Sequence, residues 1–242
     1  MSQPLLSVRN LSIAVEDRVI CQDISFDIFP GECHILVGPN GSGKSTLLCG
    51  LMGISPFKIV EGTVTLQGVD IHELDIDERA RLGMGLAFQR PPAIEGVTVR
   101  RLAHAIGADD RLDQVADLLS IGYLVDRDIN SGFSGGETKR WEVAKLALHD
   151  ASMCLFDEPE SGVDLEHVGV VSQAINQLLE TPTSSGEQRA VLAITHTGFI
   201  LDQVNATRAH LMIDGRIVQT ADPHELFDRI RRVGYQSASV NE

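Results

Sequence analysis

Gly38-Pro39-Asn40-Gly41-Ser42-Gly43-Lys44-Ser45-Thr46 narrows the architectures open to this chain more than any other stretch. It fits Gly-x-x-x-x-Gly-Lys-Ser/Thr, a loop that cradles phosphate when it joins a buried strand to a helix. Both neighbours carry those signals. His34-Ile35-Leu36-Val37 reads as a buried strand, and Thr46-Leu47-Leu48-Cys49 as the start of a helix. The glycines let successive backbone N–H groups point into one concavity, and the helix N-terminus adds partial positive charge. Lys44 is then placed to reach the β- and γ-phosphates of a nucleotide, and the Ser45 hydroxyl to sit on Mg²⁺.

The rest of the chain extends this unit into an α/β fold. Short apolar runs recur at Met153-Cys154-Leu155-Phe156, Val191-Leu192-Ala193-Ile194 and His210-Leu211-Met212-Ile213, alternating with helices. That alternation implies a mostly parallel sheet. Near the N-terminus, Leu5 to Val15, Ile24 to Ile28 and Gly62 to Leu66 read as strands, Pro30-Gly31-Glu32 and Gln67-Gly68-Val69-Asp70 as turns, and Asp77 to Leu82 as a short helix. Between Thr98 and Leu124 the periodicity becomes helical, through Val99, Leu102, Ala103 and Ile106 and then Leu112, Val115, Ala116 and Leu119. A helix is expected from Ser134 to about His149, a last strand over Gly215-Arg216-Ile217-Val218 and a closing helix from Pro223 to Arg232, before a polar tail from Ser237.

A chain of 242 residues can bury one large core or two modest ones. Its formal net charge of -14 argues against a nucleic-acid-binding face and against attraction to anionic lipid. The four cysteines, Cys21, Cys33, Cys49 and Cys154, form neither a disulfide framework nor a zinc spacing, and Cys33, Cys49 and Cys154 are expected to fill space in or beside buried segments. Met1-Ser2-Gln3-Pro4 does not open a secretory signal, and no apolar stretch approaches the ~18 residues of a membrane span. A cytoplasmic protein is expected.

Two further motifs refine the phosphate-binding reading. Phe133-Ser134-Gly135-Gly136-Glu137 places glycines at a helix start, again an anion site. Met153 to Phe156 ends in Asp157-Glu158, a buried strand terminating in two carboxylates. Ser134 and Asp157 are 23 positions apart, room for one helix and a turn. Together with the P-loop, these resemble the signature loop and Walker B strand of ATP-binding-cassette (ABC) ATPases. Ser161-Gly162-Val163-Asp164 resembles the family's D-loop, Gln89 in Phe88-Gln89-Arg90-Pro91 its Q-loop glutamine, and His196 its switch histidine.

The resemblance covers nearly the whole chain. It implies one ABC ATPase domain over 1–242, with a catalytic core of 1–89 and 132–242, mostly parallel sheet with an antiparallel β subdomain, and a small helical subdomain over 90–131. It implies ATP and Mg²⁺ as cofactors, with Ser45, Gln89 and Asp157 on the metal, Glu158 polarising the attacking water, and His196 on the γ-phosphate. Gly38 to Thr46 would hold nucleotide in one subunit. Ser134, Gly135, Gly136 and Glu137, with Asp164, would complete the site from the other subunit of a head-to-tail dimer. The intact Glu158 and His196 argue against a regulatory module that barely hydrolyses.

A narrower resemblance is to the SufC-type ATPases of SUF iron–sulfur cluster assembly. It rests on Ala87 to Val97, on Phe133 to Glu142 and on Glu160-Ser161-Gly162-Val163-Asp164. The 43 positions from Arg90 to Phe133 are few for that group, and Gly234-Tyr235 matches its closing end only in part. It implies a SufB/SufD-type scaffold as partner; the alternative is the nucleotide-binding subunit of a membrane transporter. Partner binding is expected at Pro91 to Val97, through Ile94 and Val97. Val15-Glu16-Asp17-Arg18 lies where most ABC ATPases stack an aromatic on adenine, and contains none.

Overall fold

The computed structural model describes residues 3–196 and 199–238. Its central sheet has six strands in the order β12 (Arg216–Ala221), β11 (Arg208–Ile213), β3 (Cys33–Val37), β10 (Ala190–Ile194), β9 (Met153–Asp157) and β6 (Met84–Ala87). Five run parallel, and β12 returns antiparallel beside β11. The inner strands are apolar at nearly every position because both faces are covered. In β3, Cys33, Ile35 and Val37 face one core cluster and Leu36 the other; in β10, Val191 and Ala193 oppose Leu192 and Ile194.

The first cluster packs against α5 (Gly135–His149) and α6 (Leu165–Glu180), with Trp141 fully buried, and takes in Leu226 and Phe227 of α7 (Pro223–Ala238). The second lies under an antiparallel sheet, ordered β2 (Arg18–Ile28), β1 (Leu6–Val15), β4 (Phe57–Leu66) and β5 (Val69–Asp70). Between the sheets runs α1 (Lys44–Met52), which buries Leu47, Leu48, Leu51 and Met52. A helix enclosed this way needs no polar face. Gly50 meets Ile13 so closely that a Cβ there would fall 2.5 Å from its Cδ1.

Several elements depart from the sequence expectation. Val69–Asp70 pairs with β4, so the turn contracts to Gln67-Gly68, both with positive φ. Strand β6 has no alternating pattern of its own; Met84-Gly85-Leu86-Ala87 becomes a strand by pairing with β9. The 90–131 stretch holds α3 (Val99–Ala105), capped by the Thr98 hydroxyl, and α4 (Asp109–Leu118), but also a ribbon of β7 (Ile94–Thr98) and β8 (Asp128–Ile129). The short helix is α2 (Ile76–Arg81), closed by an Asp75–Glu78 capping box. Cys21, Cys33 and Cys154 are buried, and burial pushes each thiol up to about 12; Cys49 is only half-buried. No helix among the described residues is long and apolar enough to cross a membrane.

Candidate active site

At the C-terminal end of β3 the chain turns through the P-loop into α1. A Cβ on Gly38 would stand 2.0 Å from the Met212 carbonyl oxygen of β11, so the neighbouring strand leaves no room for a side chain. Gly41 and Gly43 take φ of +80° and +101°, which glycine adopts without steric cost. The loop is pinned at Ser42, whose N–H donates to Pro39 O (3.2 Å) and whose carbonyl accepts from Gly215 N–H (3.0 Å).

The loop walls a cavity of about 640 Å³ through Asn40, Gly41, Gly43, Lys44, Ser45 and Thr46. Ile20, Gln89, Glu158 and His196 complete the lining. Lys44 Nζ donates to the carbonyls of Gly38 and Pro39, both at 2.9 Å. Burial pulls its ammonium below the usual range, and the charges of Glu158 and Asp157 act against that. The Ser45 hydroxyl donates to Asp157 Oδ1 at 3.1 Å, joining loop to strand end across 112 residues. Burial raises the Asp157 carboxyl above its ordinary value, with the Ser45 hydrogen bond opposing. Hydroxyl, carboxylate and amide oxygens from Ser45, Asp157 and Gln89 are the hard donors that suit a small divalent cation beside phosphate.

Glu158 joins two other sequence-predicted residues, Gln89 and His196. One carboxylate oxygen accepts from Gln89 Nε2, and the other pairs with His196 Nε2. Its backbone has φ of +49°, a strained conformation for a residue with a side chain. Ser161 N–H (3.0 Å) and Lys139 Nζ (3.2 Å) hold its carbonyl in place. His196 is positioned in turn by Glu160, which accepts from the His196 N–H at 3.3 Å and from the Thr195 hydroxyl.

Two positioning residues on α5 belong to none of these motif roles. Lys139 Nζ donates to Gln89 O at 2.8 Å, and Glu142 accepts the Phe88 N–H at 2.8 Å and Lys145 Nζ at 2.8 Å. Both side chains are buried on α5. The signal was available: Lys139 and Glu142 share a helical stripe with Val143 and Leu146, and charges on a core-facing stripe need partners.

Ser134, Gly135, Gly136, Glu137 and Asp164 do not line the cavity of their own chain. Ser134 caps α5 in a reciprocal box with Glu137, through 2.7 and 3.3 Å hydrogen bonds. Gly135 abuts Gly162 O, 2.6 Å from where a Cβ would be, and Asp164 stands at the N-cap of α6. The Val15–Arg18 segment closes the β1–β2 hairpin, and Ile20 just beyond it is the side chain of that region that reaches the cavity. Ile94 is 41% exposed, and Val97 packs into the chain's own core. An apolar groove is lined by Met52, Ala80, Leu86, Leu102, Ile106 and His149.

Residues 21–161 match the family model described as ABC transporter. A probable ABC transporter ATP-binding protein of Streptococcus pyogenes serotype M18 is 35% identical over 96% of this chain and 93% of its own. The probable ATP-dependent transporter SufC of Escherichia coli K12 is 34% identical over 96% of this chain and 97% of its own. Among solved structures, an ATP-binding cassette in a dimeric, post-hydrolysis state with ADP and phosphate superposes with a TM-score of 0.73 at 20% identity, over 90% of this chain and 98% of the other.

Proposed function

The chain belongs to the ATP-binding-cassette family of ATP-hydrolysing enzymes, and from that premise we propose that it drives a SufB/SufD-type scaffold in iron–sulfur cluster assembly. The chemistry rests on one observation: Gln89 and His196 hold the Glu158 carboxylate at the wall of the phosphate cavity. There Glu158 polarises the attacking water, and His196 contacts the γ-phosphate. Lys44 leaves its loop carbonyls for the β- and γ-phosphates. Ser45, Asp157 and Gln89 would hold Mg²⁺, which would supply neutralisation of charge on the phosphate oxygens.

The α5 N-terminus offers the N–H groups of Gly135 and Gly136, with Ser134 ordered by its capping box, away from its own cavity. In a head-to-tail dimer these groups and Asp164 close the partner's site, so ATP joins the subunits and hydrolysis releases them. That an ATP-binding cassette of this fold has been solved as a dimer with ADP and phosphate supports dimerisation.

Sequence kinship with the SufC-named relative supports the scaffold reading. A helix of that scaffold would seat in the groove of about 230 Å³ between α1, α2, β6, α3 and α5, where Ile106 is 41% exposed. The protein would act in the cytoplasm. A membrane-transporter role is the second reading, favoured by the name of the streptococcal relative. Purification from native cells separates them. Co-purification of a SufB/SufD-type protein supports the assembly role, and recovery with a membrane permease overturns it.

A further inference from the structure

A second cavity, about 340 Å³, opens between α4, the C-terminal ends of α5 and α6, and the loop that enters β10. It adjoins the N-terminal ends of β9 and β10, whereas the P-loop cavity lies at the C-terminal ends of the parallel strands. Its volume is in the range of small-molecule sites.

Two features of its lining stand apart. Val115, Leu118 and Leu178 give it an apolar floor. Arg111 and Arg189 bring two guanidinium groups to the same space. Arg189 is satisfied: Nη2 pairs with Asp150 at 2.7 Å, Nε donates to Thr181 O at 2.9 Å, and Nη1 donates to Ala151 O. The Asp150 charge is likewise spent on Arg189 and on the Ser184 N–H at 3.0 Å.

Arg111 is not satisfied. Nη2 donates to Leu148 O at 2.9 Å, which is its one side-chain hydrogen bond to the described residues. No carboxylate of the described residues ion-pairs with it, and its Nε is buried without a partner. The cavity thus sets a guanidinium without an ion-pair partner among the described residues beside an apolar floor. Guanidinium recognises carboxylate through paired N–H groups. We propose that this cavity is a binding site for a small aliphatic monocarboxylate, its carboxylate on Arg111 and its chain against Val115, Leu118 and Leu178. The ligand would bridge α4 to the ends of α5 and α6.

Octanoate is the probe. Calorimetric titration of the full chain should show saturable binding of one octanoate per chain, and octylamine, of equal length and opposite charge, should not bind. Arg111→Gln should weaken octanoate at least tenfold, while Arg111→Lys should lose less. In wild-type protein, octanoate should shift the methyl resonances of Val115, Leu118 and Leu178, a readout that needs no variant to fold. Absence of saturable binding up to ~10 mM, equal binding of octylamine, unchanged affinity in a folded Arg111→Gln, or shifts confined to the Ile106 groove would each overturn the site.

Discussion

Glu142 and Phe88, 54 residues apart, are joined by a 2.8 Å hydrogen bond in which the carboxylate accepts the backbone N–H. Glu142 is 3% exposed, so this contact is shielded from water and fixes the chain just before Gln89. Leaving a buried donor unpaired costs about 1–3 kcal/mol. Glu142→Leu should therefore lower both stability and turnover, with ATP affinity changed much less. Glu142→Gln, which keeps an acceptor, should recover most of the turnover. Equal activity of the two variants in a steady-state ATPase assay would dissociate the α5 anchor from the Gln89–Glu158 contact.

Glu158 itself should divide binding from chemistry. Glu158→Gln preserves shape and hydrogen bonding to Gln89 but removes the base. Turnover should fall ~10²-fold or more, with nucleotide binding retained. Hydrolysis near the wild-type rate, alongside normal binding by equilibrium dialysis, would remove Glu158 from its proposed role.

Gly38 tests the approach of two strands. A Cβ there meets Met212 O at 2.0 Å, and backbone cannot yield as a flexible side chain can. Gly38→Ala is expected to cost about 1–3 kcal/mol by overpacking and to abolish high-affinity nucleotide binding. Urea denaturation and nucleotide titration on the same preparation check both effects; a wild-type result in either contradicts the packing argument.

Base selectivity should be loose, because an isoleucine reaches the cavity from the region where an aromatic would stack. GTP should compete within about tenfold of ATP, on the order of 1.4 kcal/mol. A competition assay giving a far larger preference for ATP would mean that groups other than Ile20 read the base.

Acid should weaken the fold through a histidine pair. His34 Nδ1 and His210 Nε2 lie 2.9 Å apart, flanked by Glu32 at 3.1 Å and the Thr220 hydroxyl at 2.8 Å. With both rings neutral, each donor meets an acceptor: Thr220 to His210, His210 to His34, His34 to Glu32. Burial, with Arg208 nearby, lowers His34 to about 4; burial, with His34 and Arg208, lowers His210 to about 3. The unfolded chain protonates near 6.5, so it binds more protons than the folded chain below that pH. Stability should fall as pH drops from 6.5 toward 4, by up to about 1.4 kcal/mol per pH unit for each histidine. Urea midpoints at pH 7.5 and 5.0 check this, and a replacement of both histidines by a folded apolar pair should flatten the slope.

Local chemistry made the P-loop, the Ser134 cap and the strand ending at Asp157-Glu158 legible in the sequence. A glycine pattern, a capping box and a buried apolar run each act within a few residues. The helical periodicity around Leu112 and Val115 was legible for the same reason. Strand β6 and the β7–β8 ribbon were not, since their backbone groups are satisfied by strands distant in the chain. Tertiary structure alone decided that Ile106 borders an apolar groove. It also decided that Lys139 and Glu142 brace the chain at Gln89, because residues 50 and 54 positions apart meet only when α5 packs beside β6. Residue types in the sequence determined which chemistry was possible; long-range packing determined which side chains share one cavity.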